Sequence, residues 1–372
     1  MSPLLGIVFG GPSPEHDISI LTGLLCERVL REAGQDVVPL YWTRTGDWVQ
    51  CPAGSEAKDF LEGPPRGATP LSLVAGQGFQ SRKKGFSGGK PVTLDAALNC
   101  CHGGAGENGG LNAVFELTGI PLTGGPAPFA ALGMDKLAFG AVLQAHGIPT
   151  LQRFDLASTG GSGIPFAGPY IVKPRFGGSS IGIEVVEDLA TAHALAKSSV
   201  HLRGGAVVEP FSKGAVDLNM GYRTHPSVEV SLLEKPLAPT GDGIYSYGQK
   251  YLQADGLVAA PRELPAKVPA TVLKEAERLT RAVLAATGIR GIGRLDFLLV
   301  GKKLHVNEIN TIPGSMGLYL WPAATKPAEM LLAAVEEARR SVLAVPAPFE
   351  PGAALRAAGG MAGKLGQIGG AR

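Results

Sequence analysis

The sequence predicts a protein that combines α/β and α+β domains. Strand-like apolar segments alternate with a helix-like segment near the N-terminus. Later strand pairs are joined by short glycine-containing loops, which is typical of α+β units. The 372 residues, 45% of them hydrophobic, are enough for two or three domains with their own cores.

The first domain is predicted over residues 1–125. It begins with the buried-type strand "LLGIVFGG". The helix "ISILTGLLCERVLREAG" follows, with an apolar stripe that includes Ile18 and Leu25, and Gly34 occupies its C-terminal cap. "DVVPLYW" and "TLDAALNCCHGG" are two further strands, so this order predicts a parallel α/β domain. The pattern of residues 48–90 predicts no element.

The second domain is predicted over residues 126–210. "PFAALGMDKLAFGAVLQAHGIPT" is interpreted as one helix closed by Gly147 and Pro149. "GPYIVKPRFGGSSIGIEVVED" predicts a strand, a glycine loop and a second strand, and "AVVEPF" predicts another strand. These segments form an α+β unit.

The third domain is predicted over residues 211–345. It contains the helix "ATVLKEAERLTRAVLAATG", whose stripe includes Ala276 and Val283 and whose C-terminal cap is Gly288. A hairpin follows this helix. Residues 346–372 have little apolar surface to bury, so we expect a mobile tail.

Composition excludes several classes of partner. The formal net charge is +2, from 34 basic and 32 acidic residues without a basic stripe, so we expect no nucleic-acid or anionic-membrane partner. No apolar run approaches the roughly 20 residues of a membrane helix. The N-terminus lacks a basic region and a cleavage site, which indicates a first strand and no signal peptide. The four cysteines form no CxxC pair, which favours a reducing cytoplasm over a disulfide framework or a zinc site.

The hairpin "GIGRLDFLLVGKKLHVNEIN" carries four polar residues on one face. If residues 301–303 form its loop, Asp296 faces Glu308 and Arg294 faces Asn310. Facing carboxylates repel unless a cation lies between them, and hard oxygen ligands suit Mg²⁺ together with substrate phosphates. Arg294 can neutralise an oxyanion. The alternative is a charged sheet edge, which leaves four polar residues on an apolar hairpin without a purpose.

A phosphate cradle is predicted in "YIVKPRFGGSSIG", where Lys173 ends a strand before a glycine loop. The loop is not a GxxxxGK[ST] motif, and a simple hairpin turn with an incidental lysine remains an alternative at this point. Lys136 and Lys250, taken alone, predict only solvated surface lysines.

"GAGENG" matches GxGxxG after a strand, which would suit a dinucleotide-binding dehydrogenase. The pattern is weak alone, and no acidic strand end follows at the required distance of about 20 residues. His102 and Glu107 flank these glycines, so we do not favour that interpretation.

Taken together, the motifs resemble the D-alanine–D-alanine ligase family of the ATP-grasp superfamily. The resemblance is carried, in family order over residues 7–322, by "VFGGPSPEHDIS", "HGGAGENGGLNAVFELTGIPLTGG", "MDK", "HGIPT", "YIVKPRFGGSSIGI", "YSYGQKYL", "GIGRLDFLLV" and "NEINTIPG".

The resemblance implies a three-domain ATP-grasp fold with ATP between the central and C-terminal domains. It implies that the carboxylate of one D-alanine attacks the γ-phosphate of ATP, and that the amine of a second D-alanine attacks the acylphosphate. For the nucleotide, the resemblance assigns Mg²⁺ (or Mn²⁺) to Asp296, Glu308 and Asn310, phosphate contacts to Lys136, Lys173, Lys250 and the loop of Gly178, adenine contacts to Glu209 and Phe211, and the ribose contact to Asp217.

For the amino acids, it assigns the first substrate's ammonium to Glu15, lid closure to Ser179 and Tyr251, and the second substrate to His102, Tyr319 and Leu320. It assigns the oxyanion hole to Arg294 and Gly314.

The chain departs from the family pattern on the acceptor side. Tyr319 and Leu320 stand where the family usually has a Ser-Leu pair, and residues 219–237 are only loosely similar. Near the nucleotide, Pro210 has no N–H, so an adenine bond must come from Phe211 or a neighbour. The match at Asp217 needs a one-residue insertion.

Three other functions remain open from the sequence: an ATP-grasp ligase with a different amino-acid or amine acceptor, a non-catalytic nucleotide-binding protein, and a dehydrogenase. Loss of Arg294, Glu308 or a phosphate lysine would favour the non-catalytic protein, and all of these residues are present. The resemblance further implies amino-acid substrates, a homodimer and a cytoplasmic enzyme of peptidoglycan biosynthesis.

Overall fold

The computed structural model describes residues 4–82, 89–159, 163–237, 261–341, 352–358 and 361. By its internal contacts the chain divides into two units, Met1–Ser341 and Val342–Arg372. The described residues of the first unit form three β-sheets, of seven, four and five strands. They are formed in turn by residues of the three predicted domains, whose boundaries stay a prediction.

The seven-stranded sheet has a parallel centre, as the sequence predicts. Its strands are β1 Leu5–Gly10, β2 Val37–Trp42, β3 Trp48–Gln50, β4 Thr69–Val74, β5 Gly78–Ser81, β6 Pro91–Val92 and β7 Ala96–Asn99. β1 pairs in parallel with β2 and β7. Residues 48–90, which the sequence left unassigned, supply β3 to β5 and extend the sheet in antiparallel fashion.

Helix α1, His16–Glu32, connects β1 to β2 and contacts both strands. Gly23 lets it approach the sheet, because a Cβ there would lie 2.5 Å from the Phe9 side chain. The predicted stripe is partly wrong: Ile18 is buried, but Leu25 is 38% exposed. The buried set includes polar residues such as Ser19 and Thr22, because this face of the helix contacts the site described below.

Two short helices follow β7, and the next predicted helix is in fact two. Their bounds are α2 Gly104–Glu107, α3 Gly110–Thr118, α4 Ala127–Met134 and α5 Lys136–Ala145. Asp135 interrupts the single helix predicted over this segment. Its carboxylate accepts hydrogen bonds from the N–H groups of Leu137 and Ala138, which caps α5. It also accepts two bonds from Arg175, at 2.8 and 2.6 Å.

The four-stranded sheet is antiparallel and follows the predicted strand, loop and strand pattern. Its elements are β8 Phe154–Asp155, β9 Tyr170–Pro174, β10 Glu184–Val186, α6 Leu189–Ser198 and β11 Ala206–Pro210. The strand order β10-β9-β11-β8 places β9 and β11 side by side. Lys173 on β9 therefore stands beside β11, opposite Val207.

The five-stranded sheet contains the predicted hairpin. Its elements are β12 Val216–Arg223, β13 Glu229–Pro236, β14 Arg262–Glu263, α7 Ala270–Thr287, β15 Ile292–Val300, β16 Lys303–Asn310 and, after a 3₁₀ segment at Gly314–Leu320, α8 Pro327–Arg340. The predicted α7 stripe is buried against the sheet from Ala276 onward, and Gly288 caps the helix in the left-handed conformation.

The loop predicted for the hairpin is wrong by one residue, yet the polar pairs are as predicted. Val300 pairs with Lys303 around a two-residue turn, whereas a three-residue loop was expected. A β-bulge shifts the register between Asp296 and Phe297, with Asn307 as the extra residue on β16. Asp296 therefore still pairs with Glu308, and Arg294 still pairs with Asn310.

One hydrophobic cluster joins the first sheet to the C-terminal part of the first unit. It combines Phe9 and Leu24 with Met316, Leu320 and Met330. All four cysteines are buried, with free thiols. Among the described residues, no helix has the length and apolar character needed to span a membrane.

Within the second unit, the described residues form helix α9, Ala353–Ala357. The rest of the predicted mobile tail from residue 346 lies outside the described residues, apart from residues 352–358 and 361.

Candidate active site

Two lysines line the predicted phosphate cradle. Lys136 is the first residue of α5, and its ammonium donates a hydrogen bond to the carbonyl of Gly177. The same ammonium lies 3.6 Å from a carboxylate oxygen of Glu308 on the hairpin. Burial lowers the pKa of Lys136, and Glu308 acts in the opposite direction. The cradle and the hairpin therefore face each other.

A buried ion network lies beneath the cradle. Glu209 on β11 is fully buried and accepts a bond from Lys173 at 2.7 Å and one from Arg153 at 2.6 Å. Burial alone would raise the pKa of Glu209, but the two cations lower it to about 2. Lys173 also donates to the side-chain oxygen of Asn307 at 3.1 Å. The sequence did not single out Arg153 or Asn307, because nothing local distinguishes them from surface residues.

The polar face of the hairpin is held together by Arg294. Its guanidinium donates two bonds to Asp296, at 2.6 and 2.8 Å, and Asn310 donates a third at 3.0 Å. Within the described ranges, no three His, Cys, Asp or Glu side chains cluster closely enough to hold a metal ion. The predicted set differs from such a cluster because it has two carboxylates and one amide. Its hard oxygen donors fit a Mg²⁺ ion that also binds phosphate oxygens.

Glu15 and the serines of the glycine loop meet although they are distant in the sequence. Ser179 donates a hydrogen bond to the Glu15 carboxylate. Ser179 and Ser180 both have positive φ angles, of 53° and 58°, a strained backbone that is common at ligand sites. The backbone of Gly103 lies close to the other carboxylate oxygen of Glu15, because a Cβ at Gly103 would be only 2.4 Å from it.

His102 lies between helix α1 and the turn that follows the hairpin. Its Nε2 is 2.8 Å from the hydroxyl of Thr22, and that hydroxyl accepts a bond from the N–H of Ser315 at 3.2 Å. Burial lowers the pKa of His102 to about 4, although a hydrogen bond with the backbone of Ile312 acts the other way. The imidazole is therefore neutral at pH 7 and a weak base.

The Pro-Gly turn after the hairpin has an unusual backbone. Ser315, Met316 and Gly317 have successive φ angles of 51°, 52° and 61°. A Cβ added at Gly314 would meet no atom within 4 Å, so this face of the backbone is open. The N–H groups of Ser315 and Met316 donate to Thr22 and to the carbonyl of Pro313, so the candidate donor to an anion at this turn is the N–H of Gly314.

Glu107 of the "GAGENG" segment connects the loop after β7 to the segment after the hairpin. Its carboxylate accepts bonds from the N–H of Gly103 at 2.9 Å, the N–H of Ile312 at 3.2 Å and the hydroxyl of Thr311 at 3.3 Å. Burial and the charge of Glu15 raise its pKa to about 7. The sequence offered only its position beside the glycines, so its role was missed.

The acceptor residues of the resemblance lie in different environments. Leu320 is fully buried in the core, so its side chain supports the site and does not line it. Tyr319 is 38% exposed, and its hydroxyl lies 3.4 Å from Glu234. The guanidinium of Arg262 lies over its ring at 4.5 Å. The hydroxyl of Tyr319 thus faces Glu234, and its ring faces Arg262.

The nucleotide residues are only partly located. The N–H of Phe211 donates to the carbonyl of Pro169 at 3.0 Å, so it is not available as the predicted adenine donor. Asp217 pairs with Leu298 and stands on the same sheet face as Asp296. Lys250 and Tyr251 lie outside the described residues.

A single cavity brings the distant motifs together. It is lined by residues that include Lys136 and Gly178 from the cradle, Glu308 and Asn310 from the hairpin, and Glu107. The sequence separates these groups widely, and the fold places them around one space.

Sequence comparisons identify the relatives of this chain. The model for the D-ala D-ala ligase N-terminus matches residues 4–125, and that for the C-terminus matches residues 162–334. A D-alanine–D-alanine ligase of Mycobacterium sp. (strain KMS) is 31% identical over 356 residues, which cover 89% of this chain and 94% of the relative. The corresponding ligase of Corynebacterium aurimucosum is 30% identical over 332 residues, which cover 86% and 91%.

Solved structures show the same fold. The D-alanine–D-alanine ligase of Coxiella burnetii matches with a TM-score of 0.72 at 21% identity, covering 92% of this chain and 95% of the other. The VanG D-Ala:D-Ser ligase of Enterococcus faecalis matches with a TM-score of 0.71 at 20% identity, covering 92% and 100%. These neighbours have the ATP-grasp fold. With both family models and full-length relatives in agreement, the chain belongs to the D-alanine–D-alanine ligase family.

Proposed function

We propose that this protein is an ATP-dependent ligase that joins two D-alanines to give D-alanyl-D-alanine, ADP and phosphate. The observation that carries the proposal is the cavity shared by Lys136, Gly178, Glu308 and Asn310, in a chain of this family. Cationic and glycine-lined groups on one wall suit phosphates, and oxygen donors on the other suit a divalent cation.

Asp296, Glu308 and Asn310 hold Mg²⁺ or Mn²⁺ in this proposal. When bound, such a cation neutralises charge that develops on the transferred phosphate. Lys136 and Lys173 bind phosphate oxygens, with Lys250 assigned the same role by resemblance. Their ammonium groups already lie within reach of carboxylates and carbonyls of the site, which an anionic ligand can replace.

In the first half-reaction, Glu15 binds the ammonium of the first D-alanine. A carboxylate oxygen of this D-alanine attacks the γ-phosphorus of ATP, the bond to ADP breaks, and the acylphosphate of D-alanine forms. An acylphosphate hydrolyses readily, so the site must exclude water. The bond from Ser179 to Glu15 supports a role of the glycine loop in closing this side, together with Tyr251.

In the second half-reaction, the amine of the second D-alanine attacks the acyl carbon and phosphate leaves. Arg294 and the N–H of Gly314 stabilise the negative charge that develops on the acyl oxygen. The incoming ammonium must lose a proton before it attacks, and a phosphoryl oxygen of the acylphosphate, which leaves as phosphate, accepts this proton. His102, with its pKa of about 4, is suited to orient neighbouring groups through Thr22 and not to take that proton.

One observation favours a second candidate, a ligase with a different acceptor. The hydroxyl of Tyr319 lies near Glu234, and Arg262 covers its ring, so the position differs from a free serine hydroxyl. The structural neighbour from Enterococcus faecalis is described as a D-Ala:D-Ser ligase, which illustrates that this fold accommodates other acceptors.

The remaining features follow from the family. We assign the enzyme to the cytoplasm and to peptidoglycan biosynthesis, as a homodimer whose subunits divide into domains at residues 1–125, 126–210 and 211–345. The extent of the three sheets supports this division.

The direct test is to incubate the protein with ATP, Mg²⁺ and D-alanine alone, to measure ADP, and to identify the product by mass spectrometry. The proposal expects ADP and the homodipeptide in equal amounts. If ADP is released only after a second, different amino acid is added, that amino acid and not D-alanine is the acceptor. No ADP with any D- or L-amino acid would refute the ligase.

A further inference from the structure

Arg153 is a buried cation to which the proposed function gives no role. It lies just before β8, and its side chain is only 2% exposed. Arginine is rarely buried unless its charge is paired. The contacts of this guanidinium therefore indicate what it does.

The guanidinium connects three elements of the nucleotide site. Nε donates to Glu209 on β11 at 2.6 Å, and Nη1 donates to the carbonyl of Lys136 at 3.1 Å. Nη2 donates to the carbonyl of Asn307, the extra residue of the bulge. Each partner either belongs to the proposed nucleotide site or, like Asn307, contacts a residue of it.

The contact of Arg153 with Glu209 matters for the charge balance of this buried carboxylate. Glu209 has two oxygens, one bound by Arg153 and the other by Lys173. If Lys173 leaves its oxygen to bind a phosphate, the buried carboxylate still has Arg153 as a counter-ion. Without Arg153, the same movement would leave a buried charge unpaired, which is strongly unfavourable.

We infer that Arg153 is a positioning residue that keeps Glu209 ion-paired, so that Lys173 can exchange from this carboxylate to a phosphate of the bound nucleotide. This inference rests on the proposed function, since it needs a nucleotide in the cavity. Arg153 acts through Lys173 and does not touch the nucleotide itself.

The test measures binding of ATP and of adenosine to the full chain by calorimetry, without amino acids. The ratio of the two affinities isolates the contribution of the phosphates. Arg153→Met is expected to lower this ratio by about tenfold or more, because Lys173 is then retained by Glu209; a lost charged hydrogen bond is of that size. Adding Glu209→Gln to Arg153→Met removes the negative charge that retains Lys173 and is expected to restore the ratio.

A matched control is Arg223→Met, which removes another paired arginine, bound to Glu229 at 2.7 Å outside the cavity. It is expected to leave the ratio unchanged. If Arg153→Met does not give a folded protein by thermal melting, Arg153→Gln takes its place in both backgrounds.

Two results would overturn the inference: an unchanged ratio in the Arg153 variant, or a lowered ratio that Glu209→Gln does not restore. The second would mean that Arg153 only supports the surrounding structure. A wild-type protein that binds no ATP would instead overturn the proposed function, and this inference with it.

Discussion

Glu107 provides a quantitative prediction about pH. Its pKa is raised to about 7, first by burial and then by the charge of Glu15, from an ordinary value of 4.5. A carboxyl whose pKa is raised in the folded state contributes stability below pH 4.5, and this stability is lost as pH rises through 7. At 1.36 kcal/mol per pH unit, the shift corresponds to a loss of at most about 3 kcal/mol.

The perturbation is Glu107→Gln, which resembles the protonated carboxyl and does not titrate. It retains one oxygen acceptor for Ile312 and Thr311 and loses the bond from Gly103, a cost of about 1 kcal/mol that does not depend on pH. Relative to wild type, the variant is therefore expected to gain about 2 to 3 kcal/mol in free energy of unfolding between pH 5 and pH 8.

The assay is urea unfolding of both proteins at pH 5 and pH 8, without ligands. Glu32→Gln, an exposed glutamate at the end of α1, is the control and is expected to show no such change. If the difference between wild type and Glu107→Gln is the same at both pH values within about 0.5 kcal/mol, the reasoning is refuted, because bonds from Gly103, Thr311 and Ile312 then outweigh burial.

Three further predictions concern activity. Glu308→Gln is expected to lower ATP turnover by about 100-fold or more with an unchanged melting curve, because it removes a metal ligand that faces Lys136 and no core packing; near-normal turnover at low Mg²⁺ would rule out the metal site. Ser179→Ala is expected to raise the KM for the first D-alanine by about tenfold, since the Glu15 carboxylate loses a hydrogen bond; steady-state kinetics with an unchanged KM would show that this bond is not used in binding. Tyr319→Phe removes the hydroxyl beside Glu234 and is expected to change the KM for the second amino acid only. Equal changes in the KM values for the first and second amino acids would place Tyr319 outside the acceptor pocket.

Much of the fold was predictable because its signals are local. The apolar run of β1, the glycine after α1 and the apolar stripe of α7 each lie within one element, so propensity and periodicity reveal them. The single helix predicted across α4 and α5 was wrong for a tertiary reason. Asp135 stops the helix there by capping α5, and Arg175, 40 residues away, holds its carboxylate in place.

The candidate site likewise combines features that local sequence predicts with features that only the fold determines. The pairing of Asp296 with Glu308 was predicted from alternation on one hairpin, although the predicted loop was wrong. The bulge at Asn307 compensated for that error, and no local signal marks it. Its backbone carbonyl is bound by Arg153, which lies 154 residues away.

The sequence by itself determined the order of elements, the residue types of the cradle and hairpin, and the family, because these depend on neighbours in the chain. Tertiary structure alone decided which distant polar and charged groups meet. Ser179 meets Glu15 across 164 residues, and Arg153 meets Glu209 across 56. A buried charge is stable only beside a partner, and the partner's position depends on how the sheets and helices pack.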